Sequence, residues 1–283
     1  MSASQTVGLV GAGAMGAGIG GALVSAGWRV VSVLGDRSAA SRARAAAMGI
    51  ESVDDLVSLV TQSSIVLSIV PPEVATEVAE SIVSAVEEAD GAKVFVECNA
   101  ISPGRARQIA ALVGGARIAY IDGGLIGAPP SPGRATALYL SGEGGEHIAK
   151  ELATPTIRTG WLGPQPALAS ALKMAYAGWT KGLNALVLSV RALARAEGVE
   201  EALLDEWRRS QPGALAASER APLTADKAWR WIAEMQEIAA SLDEAGLPDG
   251  SFVAAAELYR RLSGYKDAAA APVTDEMVDL LLA

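Results

Sequence analysis

Three glycines near the start of the chain have the spacing of a phosphate-binding turn. Gly11, Gly13 and Gly16 lie between an apolar, strand-like run and a helical stretch that opens with Ala14 and Met15. Gly11 permits a tight turn, Gly13 lets the backbone approach a pyrophosphate, and Gly16 lets the helix pack closely on the strand. The N-terminus of that helix offers unpaired N–H groups to phosphates. We interpret the turn as a dinucleotide-binding site; a tight turn without a ligand is the alternative.

The residues after the second apolar run bear on which dinucleotide binds. A protein that binds NAD usually has an acidic residue at the end of its second strand, where it holds the ribose hydroxyls. Leu34 occupies that place, and Asp36 could serve only if the loop bends back. Arg37, Ser38 and Arg42 offer a guanidinium fork, a hydroxyl and a second charge, which suit a 2′-phosphate. The pattern favours NADP over NAD, and Ser38 as a plain helix cap is the alternative.

The elements that must position these residues are short strands that alternate with helices in the first half of the chain. Strands are predicted at 6–10, 29–34, 65–70, 93–96, 117–122, 136–141 and 156–160. Helices are predicted at 14–26, 38–48, 52–62, 73–89, 103–113 and 143–152. Such alternation indicates βαβ units around a buried sheet. We expect an α/β fold of the Rossmann type, with a doubly wound, mostly parallel sheet.

Beyond Trp161 the pattern predicts helices alone. Apolar residues recur at spacings of three and four through 168–193, which predicts a long helix with an apolar face that ends near Glu197. Further helices are predicted at 200–217, 223–245, 249–263 and 273–282. We therefore expect a dinucleotide-binding Rossmann domain over residues 1–162. An all-helical C-terminal domain for substrate binding and dimerisation is expected over residues 163–283.

The composition argues against several classes of function. The chain of 283 residues has 23 Lys and Arg against 32 Asp and Glu, a net charge of −9, which disfavours binding to nucleic acid or to an anionic membrane. The single cysteine, Cys98, allows no internal disulfide, and the single histidine, His147, argues against a histidine-based metal site. Residues 1–5 lack the pattern of a secretory leader. We expect a cytoplasmic protein that binds a small-molecule substrate and holds no metal.

Further stretches of the chain match the motifs of one family. They are Gly8–Gly16, Ser68–Pro71, Glu97–Pro103, Tyr120–Ala128 and Leu172–Gly182. With these stretches the chain resembles the β-hydroxyacid dehydrogenases, the group that includes 3-hydroxyisobutyrate dehydrogenase and 6-phosphogluconate dehydrogenase. The last stretch is similar to a less studied branch related to 6-phosphogluconate dehydrogenase. The resemblance implies an NAD(P)-dependent oxidoreductase that acts on a small hydroxy acid, an alcohol or the corresponding oxo compound.

The resemblance assigns the proton-handling role to Lys173. This lysine falls early in the long predicted helix, where the family has its catalytic lysine. To act as general acid and base, it needs a pKa well below the usual value of about 10.4. Burial beside a cationic nicotinamide ring lowers that pKa, because desolvation and like charge both disfavour the ammonium form. An ordinary lysine on a half-buried helix is the alternative.

The resemblance also implies contacts with cofactor and substrate. Val70 and Pro71 belong to the loop that follows the strand bordering the cofactor, and Asn99 is expected to contact the nicotinamide ribose. Asp122 lies in the segment that the family uses to bind its substrate. Its carboxylate either contacts substrate or orders the loop, and both interpretations are kept.

Two departures from the family pattern change the expected substrate. Where many relatives have Ser-Gly-Gly, this chain has Ile126-Gly127-Ala128, so a hydroxyl is missing and only backbone N–H groups remain to bind a substrate carboxylate. One helical turn after Lys173, where the family often has an asparagine, stands Tyr176, which either donates a proton or packs. We expect a substrate other than 6-phosphogluconate or 3-hydroxyisobutyrate: another hydroxy acid, a ketone or aldehyde, or an imine.

Two other functions stay open on the same fold. Imine reductases share this architecture but usually have Asp or Tyr where the lysine falls, so Lys173 disfavours this function and Tyr176 keeps it open. The altered substrate segment is also compatible with a non-catalytic protein that senses a dinucleotide. The resemblance, together with a helix surface rich in Ala and Leu, predicts a homodimer through the helical domain.

Overall fold

The computed structural model describes residues 5–89, 91–266, 268 and 270–283. Residues 1–4, which belong to the stretch considered above for a leader, lie outside the described residues. The chain divides into two compact units, Met1–Lys173 and Met174–Ala283. The predicted boundary at residue 162 precedes this division, which falls within the long helix.

An eight-stranded sheet forms the centre of the first unit. Its strands are β1 (Thr6–Val10), β2 (Arg29–Val33), β3 (Glu51–Val53), β4 (Ile65–Ser68), β5 (Val94–Glu97), β6 (Ala119–Ile126), β7 (Thr136–Ser141) and β8 (Ile157–Trp161). The order is β3-β2-β1-β4-β5-β6-β7-β8, and every neighbouring pair is parallel except β6 and β7. The first six strands have the order typical of a doubly wound dinucleotide-binding sheet, which confirms the predicted fold class.

Helices pack on both faces of this sheet. They are α1 (Ala14–Ser25), α2 (Ala39–Ala47), α3 (Leu56–Gln62), α4 (Ala75–Glu88), α5 (Pro103–Val113) and α6 (Gly145–Leu152). Leu67 of β4 belongs to the same core cluster as Ile19 of α1. Its neighbour Val66 belongs to a second cluster, with Ile82 of α4 and Ile109 of α5. Because both faces of the strand are buried, successive positions must be apolar, as the sequence pattern of β4 requires.

Side-chain caps fix where three of these helices begin. Ser38, Asp55 and Ser102 each accept a hydrogen bond from the backbone N–H three residues further on. Such caps satisfy N–H groups that the first turn of a helix leaves unpaired. The cap at Asp55 also explains one error of the sequence analysis: the helix predicted from residue 52 begins only at Leu56, and residues 51–53 form the edge strand β3.

One strand is longer than predicted. The strand expected to end at Asp122 continues to Ile126, because β6 and β7 pair from Asp122 opposite Ser141 to Ile126 opposite Ala137. The glycines at 123 and 124 therefore lie inside a strand and not in a loop after it.

Among its described residues the second unit contains helices and connecting turns but no strand, as predicted. The long helix α7 (Leu168–Ala196) begins in the first unit and continues into the second. It is followed by α8 (Glu200–Ser210), α9 (Pro212–Arg220), α10 (Ala228–Glu244), α11 (Gly250–Arg261) and α12 (Thr274–Leu282). The helix predicted over 200–217 is divided before Pro212, since proline has no N–H to donate and its ring clashes with the preceding turn. Within the described ranges, none of the helices combines the length and apolar character needed to span a bilayer.

An ionic cluster joins three helices of the second unit. Arg191 of α7 is nearly buried and contacts Glu200 of α8 at 2.7 Å and Asp275 of α12 at 3.0 Å. Arg195, one turn later, contacts Glu200 at 2.5 Å and Asp279 at 2.7 Å. The two arginines therefore tie the last helix to the long one.

Candidate functional site

The glycine turn joins β1 to α1 at the carboxyl edge of the sheet. Gly11 has φ +102°, and a Cβ there would lie 2.2 Å from the carbonyl oxygen of Ile69. A Cβ at Gly16 would lie 1.9 Å from the carbonyl oxygen of Gly11. Only glycine fits at either position, because these atoms belong to the backbone. A Cβ at Gly13, in contrast, would meet nothing within 4 Å.

The first turn of α1 has the features of an anion site. Gly13 is its N-cap residue and supplies no side-chain hydrogen bond, and the turn contains no acidic side chain. Ala14 is exposed and Met15 half-buried. The N–H groups of this turn therefore face open space beside Gly13 without a competing carboxylate. This arrangement fits the pyrophosphate of a dinucleotide.

A cleft of about 230 Å³ lies beside the turn. It is lined by Leu9, Val10, Gly11, Val33, Arg37, Leu56, Leu59, Val78 and Ser81. Its apolar walls suit the adenine end of a dinucleotide, with Arg37 as the charged group at its margin. Leu34 is buried in the core and offers no polar atom for a ribose hydroxyl.

The residues expected to hold a 2′-phosphate lie at the start of α2. Arg37 and Ser38 are both exposed. The hydroxyl of Ser38 accepts the N–H of Ser41 at 3.3 Å, as its role as helix cap requires. Arg42 donates from its guanidinium to the carbonyl oxygen of Arg37, so both arginines are held at one end of the helix.

The loop Val70-Pro71-Pro72 after β4 is held from two sides. The backbone N–H of Val70 donates to Oδ1 of Asn99 at 2.6 Å. Arg105 donates from Nη1 to the carbonyl oxygen of Pro72 at 2.8 Å. Pro71 stays exposed. A Cβ at Gly11 would lie 3.0 Å from Cγ1 of Val70, so this loop lies directly against the glycine turn.

Asn99 has a role beyond the one expected. Its side chain is buried, and Nδ2 donates to Oγ of Ser68 at 3.1 Å and to Oε2 of Glu97 at 2.9 Å. With Oδ1 engaged by Val70, the amide has no donor left for a ribose hydroxyl. Asn99 therefore braces the loop that carries Val70, and its contact with the nicotinamide ribose stays a prediction.

Glu97, which the sequence analysis did not single out, anchors this brace. It has no exposed surface and accepts hydrogen bonds from the backbone N–H of Asn99 at 2.5 Å and from the Asn99 side chain. Burial, opposed by the hydrogen bonds from Asn99 and assisted by the nearby carboxylate of Asp122, raises the pKa of Glu97 to about 8 in all. Its position at the end of the apolar strand β5 is the one indication that sequence offers.

Asp122 is also fully buried, in the middle of the sheet. Its Oδ2 accepts from the hydroxyl of Ser141 and from the backbone N–H of Ser170, each at 2.9 Å. Its Oδ1 accepts from the hydroxyl of Ser170 at 2.5 Å. Burial raises the pKa of Asp122, and these donors oppose the shift. Of the two interpretations kept for Asp122, its lack of exposed surface favours the one in which the carboxylate orders the chain around it.

The segment expected to bind substrate lies at the end of β6. Gly127 has φ +120°, and both Gly127 and Ala128 are exposed. The hydroxyl of Thr136 donates to the carbonyl oxygen of Ala128. The next residues pack on α1, where a Cβ at Gly18 would lie 3.0 Å from Cδ of Pro130. This segment is therefore held near the first turns of α1.

Lys173 lies in the second turn of α7 and is half-buried. A Cβ added at Gly124 would lie only 3.3 Å from the Cβ of Lys173, so this part of the helix packs directly on β6. Desolvation lowers the pKa of Lys173 to about 8. In the described part of the chain, no carboxylate forms an ion pair with it. The lysine thus has the lowered pKa that proton transfer near neutral pH requires.

Tyr176 belongs to the second unit and is 48% exposed. In the same unit, the ammonium of Lys181 pairs with the carboxylate of Glu234 and lies 5.4 Å from the ring centre of Trp231. Across the described residues, there is no group of three or more His, Cys, Asp and Glu side chains arranged to hold a metal ion.

Comparison with protein families gives two matches. Residues 6–157 match the NAD binding domain of 6-phosphogluconate dehydrogenase, and this stretch is more than half of the chain. The chain belongs to that family. Residues 194–262 match a domain of unknown function, DUF1932. The resemblance inferred from the glycine turn and the later motifs is therefore confirmed.

Solved structures of similar fold extend the comparison to the whole chain. A conserved hypothetical protein from Sinorhizobium meliloti 1021 is 25% identical, with 99% of this chain and 96% of that chain covered and a TM-score of 0.72. A 3-hydroxyisobutyrate dehydrogenase from Mycobacterium tuberculosis, solved with L-serine, is 18% identical over 99% and 100% of the two chains, with a TM-score of 0.75. An imine reductase from Myxococcus stipitatus, solved with NADP+, is 20% identical over 98% and 100%, with a TM-score of 0.57. No curated protein sequence matches the chain.

Membership in the family of 6-phosphogluconate dehydrogenase NAD-binding domains agrees with the geometry of the first unit. The glycine turn, the cleft beside it and the loop at Val70 meet at one edge of the sheet. The family match therefore indicates that the first unit is a domain that binds NAD(P).

Proposed function

We propose that the protein transfers hydride between a nicotinamide cofactor and a small hydroxy acid or alcohol, or its oxo form, with Lys173 as general acid and base. The observation that carries this proposal is the half-buried Lys173, whose pKa falls to about 8 without a carboxylate partner in the described residues. A lysine with that pKa exists in both protonation states near neutral pH, which suits transfer in either direction.

The residues around the glycine turn would hold the cofactor. The first turn of α1, from Ala14 to Gly16, binds the pyrophosphate through its N–H groups, and the cleft that contains Val33 takes the adenine end. The loop at Val70 and Pro71, fixed by Asn99, borders the cofactor. A nicotinamide cofactor held by these residues would supply the hydride acceptor for oxidation and the hydride donor for reduction.

The substrate would contact Lys173, which carries the proton, and the backbone N–H groups of Gly127 and Ala128. In oxidation, neutral Lys173 takes the hydroxyl proton while the carbon–hydrogen bond breaks; in reduction, the ammonium returns that proton to the carbonyl oxygen. The exposed N–H groups of Gly127 and Ala128 are available to hold a carboxylate.

Replacement of Lys173 tests this role. We expect Lys173→Ala to lower kcat by about 10²–10⁴-fold, the usual contribution of a general acid–base group, with the Kd for the cofactor nearly unchanged. Lys150→Ala is the matched control, because Lys150 is an exposed lysine paired with Glu146. Undiminished kcat in Lys173→Ala would remove the lysine from the mechanism.

The pH dependence of the oxidation reaction gives a second test of the same role. Oxidation needs the neutral amine, so kcat/KM rises with pH and levels off above a pKa of about 8. A profile that is flat between pH 6 and 9, roughly the range in which lysines of lowered pKa titrate, would contradict this role.

We further propose that the cofactor is NADP. Arg37 and Ser38 are exposed at the start of α2, with Arg42 anchored beside them, and Leu34 leaves the end of β2 without an acidic residue. A guanidinium fork binds a phosphate group through charge-assisted hydrogen bonds.

Comparing the two cofactors tests this assignment. We expect Arg37→Ala to raise the KM for NADP by about tenfold or more, from the loss of one charged hydrogen bond, and to leave the KM for NAD unchanged. Arg44→Ala, in the last turn of the nearby helix α2, is the control and should leave both constants unchanged. Equal or better use of NAD by the unaltered protein would overturn the assignment.

Reduction of an imine is the second candidate function. The observation that favours it is Tyr176, whose side chain is 48% exposed on α7 and carries a hydroxyl that can donate a proton. If this function is correct, cyclic imines are reduced and Tyr176→Phe lowers kcat more than Lys173→Ala. A non-catalytic dinucleotide sensor, the remaining alternative, would bind cofactor without turnover of any alcohol, acid, ketone or imine.

We also propose that the protein is a homodimer whose subunits meet along α7. Trp179, Leu186 and Leu193 are 70%, 60% and 64% exposed. They are spaced by seven residues, or about two helical turns, so they form one apolar stripe, which we call the α7 stripe. Exposed apolar side chains in such an array are typical of an interface, and a stripe on a single long helix can pair with its own copy across a two-fold axis.

A further inference from the structure

The helix that carries Lys173 has no capping side chain of its own. Ala167, the residue before α7, accepts the N–H of Ala171 with its carbonyl oxygen and thus stands at the N-cap position. It has φ +75° and a side chain without an acceptor atom. The first N–H groups of α7 therefore depend on acceptors from elsewhere.

Two strands supply these acceptors. The N–H of Ala169 donates to Oγ of Ser141 on β7 at 3.1 Å. The N–H of Ser170 donates to Oδ2 of Asp122 on β6 at 2.9 Å. Ser141 and Asp122 are opposite each other in the sheet and are joined by the hydrogen bond from Ser141 to Oδ2. A carboxylate at this place also interacts favourably with the positive end of the helix dipole.

The side chain of Ser170 adds a second hydrogen bond to Asp122. Its hydroxyl donates to Oδ1 of Asp122 at 2.5 Å, so a single residue of the helix engages both oxygens of one carboxylate. Asp122 and Ser141 have no exposed surface, and Ser170 is 1% exposed. No water competes for these bonds, and the two contacts from Ser170 fix both the height and the rotation of the first turn.

The backbones of β6 and α7 are in close contact beneath this turn. A Cβ at Gly124, two residues after Asp122, would lie 2.6 Å from the carbonyl oxygen of Ala169 and 3.3 Å from Cβ of Lys173. The strand and the helix are therefore too close for any residue larger than glycine at position 124. Lys173 follows Ser170 by three residues, or about one turn, so the geometry of the Asp122 bridge sets where the lysine points.

We propose that Asp122, bridged to Ser170, is the positioning residue for Lys173: it caps the first turn of α7 and holds the lysine at its buried site. This proposal rests on the proposed function, in which Lys173 carries the proton. The ordering of the site is thus assigned to a carboxylate that touches neither substrate nor cofactor.

A positioning role and a simple electrostatic role of Asp122 predict opposite changes in the pKa of Lys173. If Asp122 acted as a counter-ion for the ammonium, its neutralisation would lower the pKa of Lys173. If it holds the helix, its loss lets water reach the lysine, and the pKa rises from about 8 towards its ordinary value. The direction of the change therefore separates the two roles.

The test measures the pKa of Lys173 directly, by trace acetylation with acetic anhydride at a series of pH values and mass spectrometry of the peptide. It compares the unaltered protein with Ser170→Ala and Asp122→Asn. We expect labelling of Lys173 at pH 8 to be about fivefold slower in Asp122→Asn, as for a pKa that moves from about 8 to about 9. We expect a smaller decrease in Ser170→Ala, in which the backbone bond to Asp122 remains.

Ser63→Ala is the matched control. Ser63 is also a buried serine of the first unit, and its hydroxyl donates to the carbonyl oxygen of Leu59 at 2.6 Å. We expect it to lower the free energy of unfolding as much as Ser170→Ala does, with no change in the labelling of Lys173. A general loss of stability is thus separated from a loss of positioning.

An unchanged or faster labelling of Lys173 in both variants would overturn the proposal. If Asp122→Asn does not fold, Ser170→Ala alone decides, because it removes one hydroxyl and keeps the carboxylate. The labelling needs neither substrate nor cofactor. Failure of the proposed function, seen as undiminished turnover in Lys173→Ala, is therefore distinguishable from failure of the positioning role.

Discussion

Two sets of residues, one in each unit, depart from the usual placement of polar side chains outside and apolar side chains inside. In the first unit, the carboxyl groups of Glu97 and Asp122 have no exposed surface. Each accepts hydrogen bonds from a backbone N–H group and from a serine or asparagine side chain. In the second, large apolar side chains of the α7 stripe, among them Trp179, are mostly exposed. Each unit therefore departs from the usual distribution of residues in its own direction.

The difference indicates what each unit is for. Buried carboxyl groups that accept hydrogen bonds fix loops and helix ends in one arrangement, which a site for hydride transfer needs. An exposed apolar stripe lowers solubility unless something covers it. In the proposed function, the first unit serves precise positioning and the second serves the proposed association of two subunits.

The largest effect that we expect from this difference between the units is a change in stability caused by Glu97 in the first unit. Its pKa is 4.5 in the unfolded chain and about 8 in the folded one, so the folded state holds a proton that the unfolded state releases between these values. The free energy of unfolding should then fall as pH rises from 4.5 to 8, by up to about 5 kcal/mol, and stay level above. Glu97→Gln cannot titrate and should lack this slope.

Urea unfolding of both proteins at several pH values measures the effect. The difference in stability between Glu97→Gln and the unaltered protein should grow with pH up to about 8. Glu146→Gln, at an exposed residue paired with Lys150, is the control and should show a constant difference over pH 5–8, roughly the range above the usual pKa of glutamate. A constant difference for Glu97→Gln as well would mean that the buried carboxyl is ionised throughout.

These contrasts separate what the sequence predicts from what only the fold reveals. The glycine turn and the cap at Ser38 were predictable, because each depends on neighbours within a few residues. The bridge from Asp122 to Ser170 was not, since it joins residues 48 positions apart. It depends on how far β6 extends, and the predicted strand ended four residues too early.

The candidate site shows the same limit. The sequence pointed to Asn99 as a cofactor contact, and the structure shows its amide bonded to the loop at Val70 and to Glu97. An amide can serve either purpose, and only the positions of its partners decide. Glu97 itself is preceded by Val94-Phe95-Val96, and a charged residue at the end of such an apolar strand is the feature that could have drawn attention to it.

A second test concerns the one buried ion pair that links α7 to α10. The side chains of Lys181 and Glu234 are 15% and 14% exposed. Glu234→Ala removes the carboxylate and should lower the free energy of unfolding by about 3 kcal/mol, since a largely buried charge loses its partner. Glu206→Ala, which breaks an exposed pair with Arg209, should cost no more than about 0.5 kcal/mol. Equal losses in urea unfolding would show that burial adds nothing to the pair.

The third test concerns the α7 stripe. We expect Leu186→Glu to raise the Kd of the homodimer at least about a hundredfold, or about 2.7 kcal/mol, because a charge would enter an apolar interface. Leu223→Glu is the control, since Leu223 is 69% exposed but lies outside α7. Sedimentation velocity over a range of concentrations measures both. A protein that is monomeric at micromolar concentration before any substitution would refute the dimer itself.

The most direct measurement of the central claim follows nicotinamide absorbance while the protein is supplied with NADP or NADPH and a panel of hydroxy acids, alcohols, oxo compounds and cyclic imines. The account predicts turnover of at least one hydroxy or oxo compound by the unaltered protein. It also predicts a loss of that turnover in Lys173→Ala, which still binds the cofactor. Cofactor binding without turnover of any compound, or turnover that survives in Lys173→Ala, would contradict it.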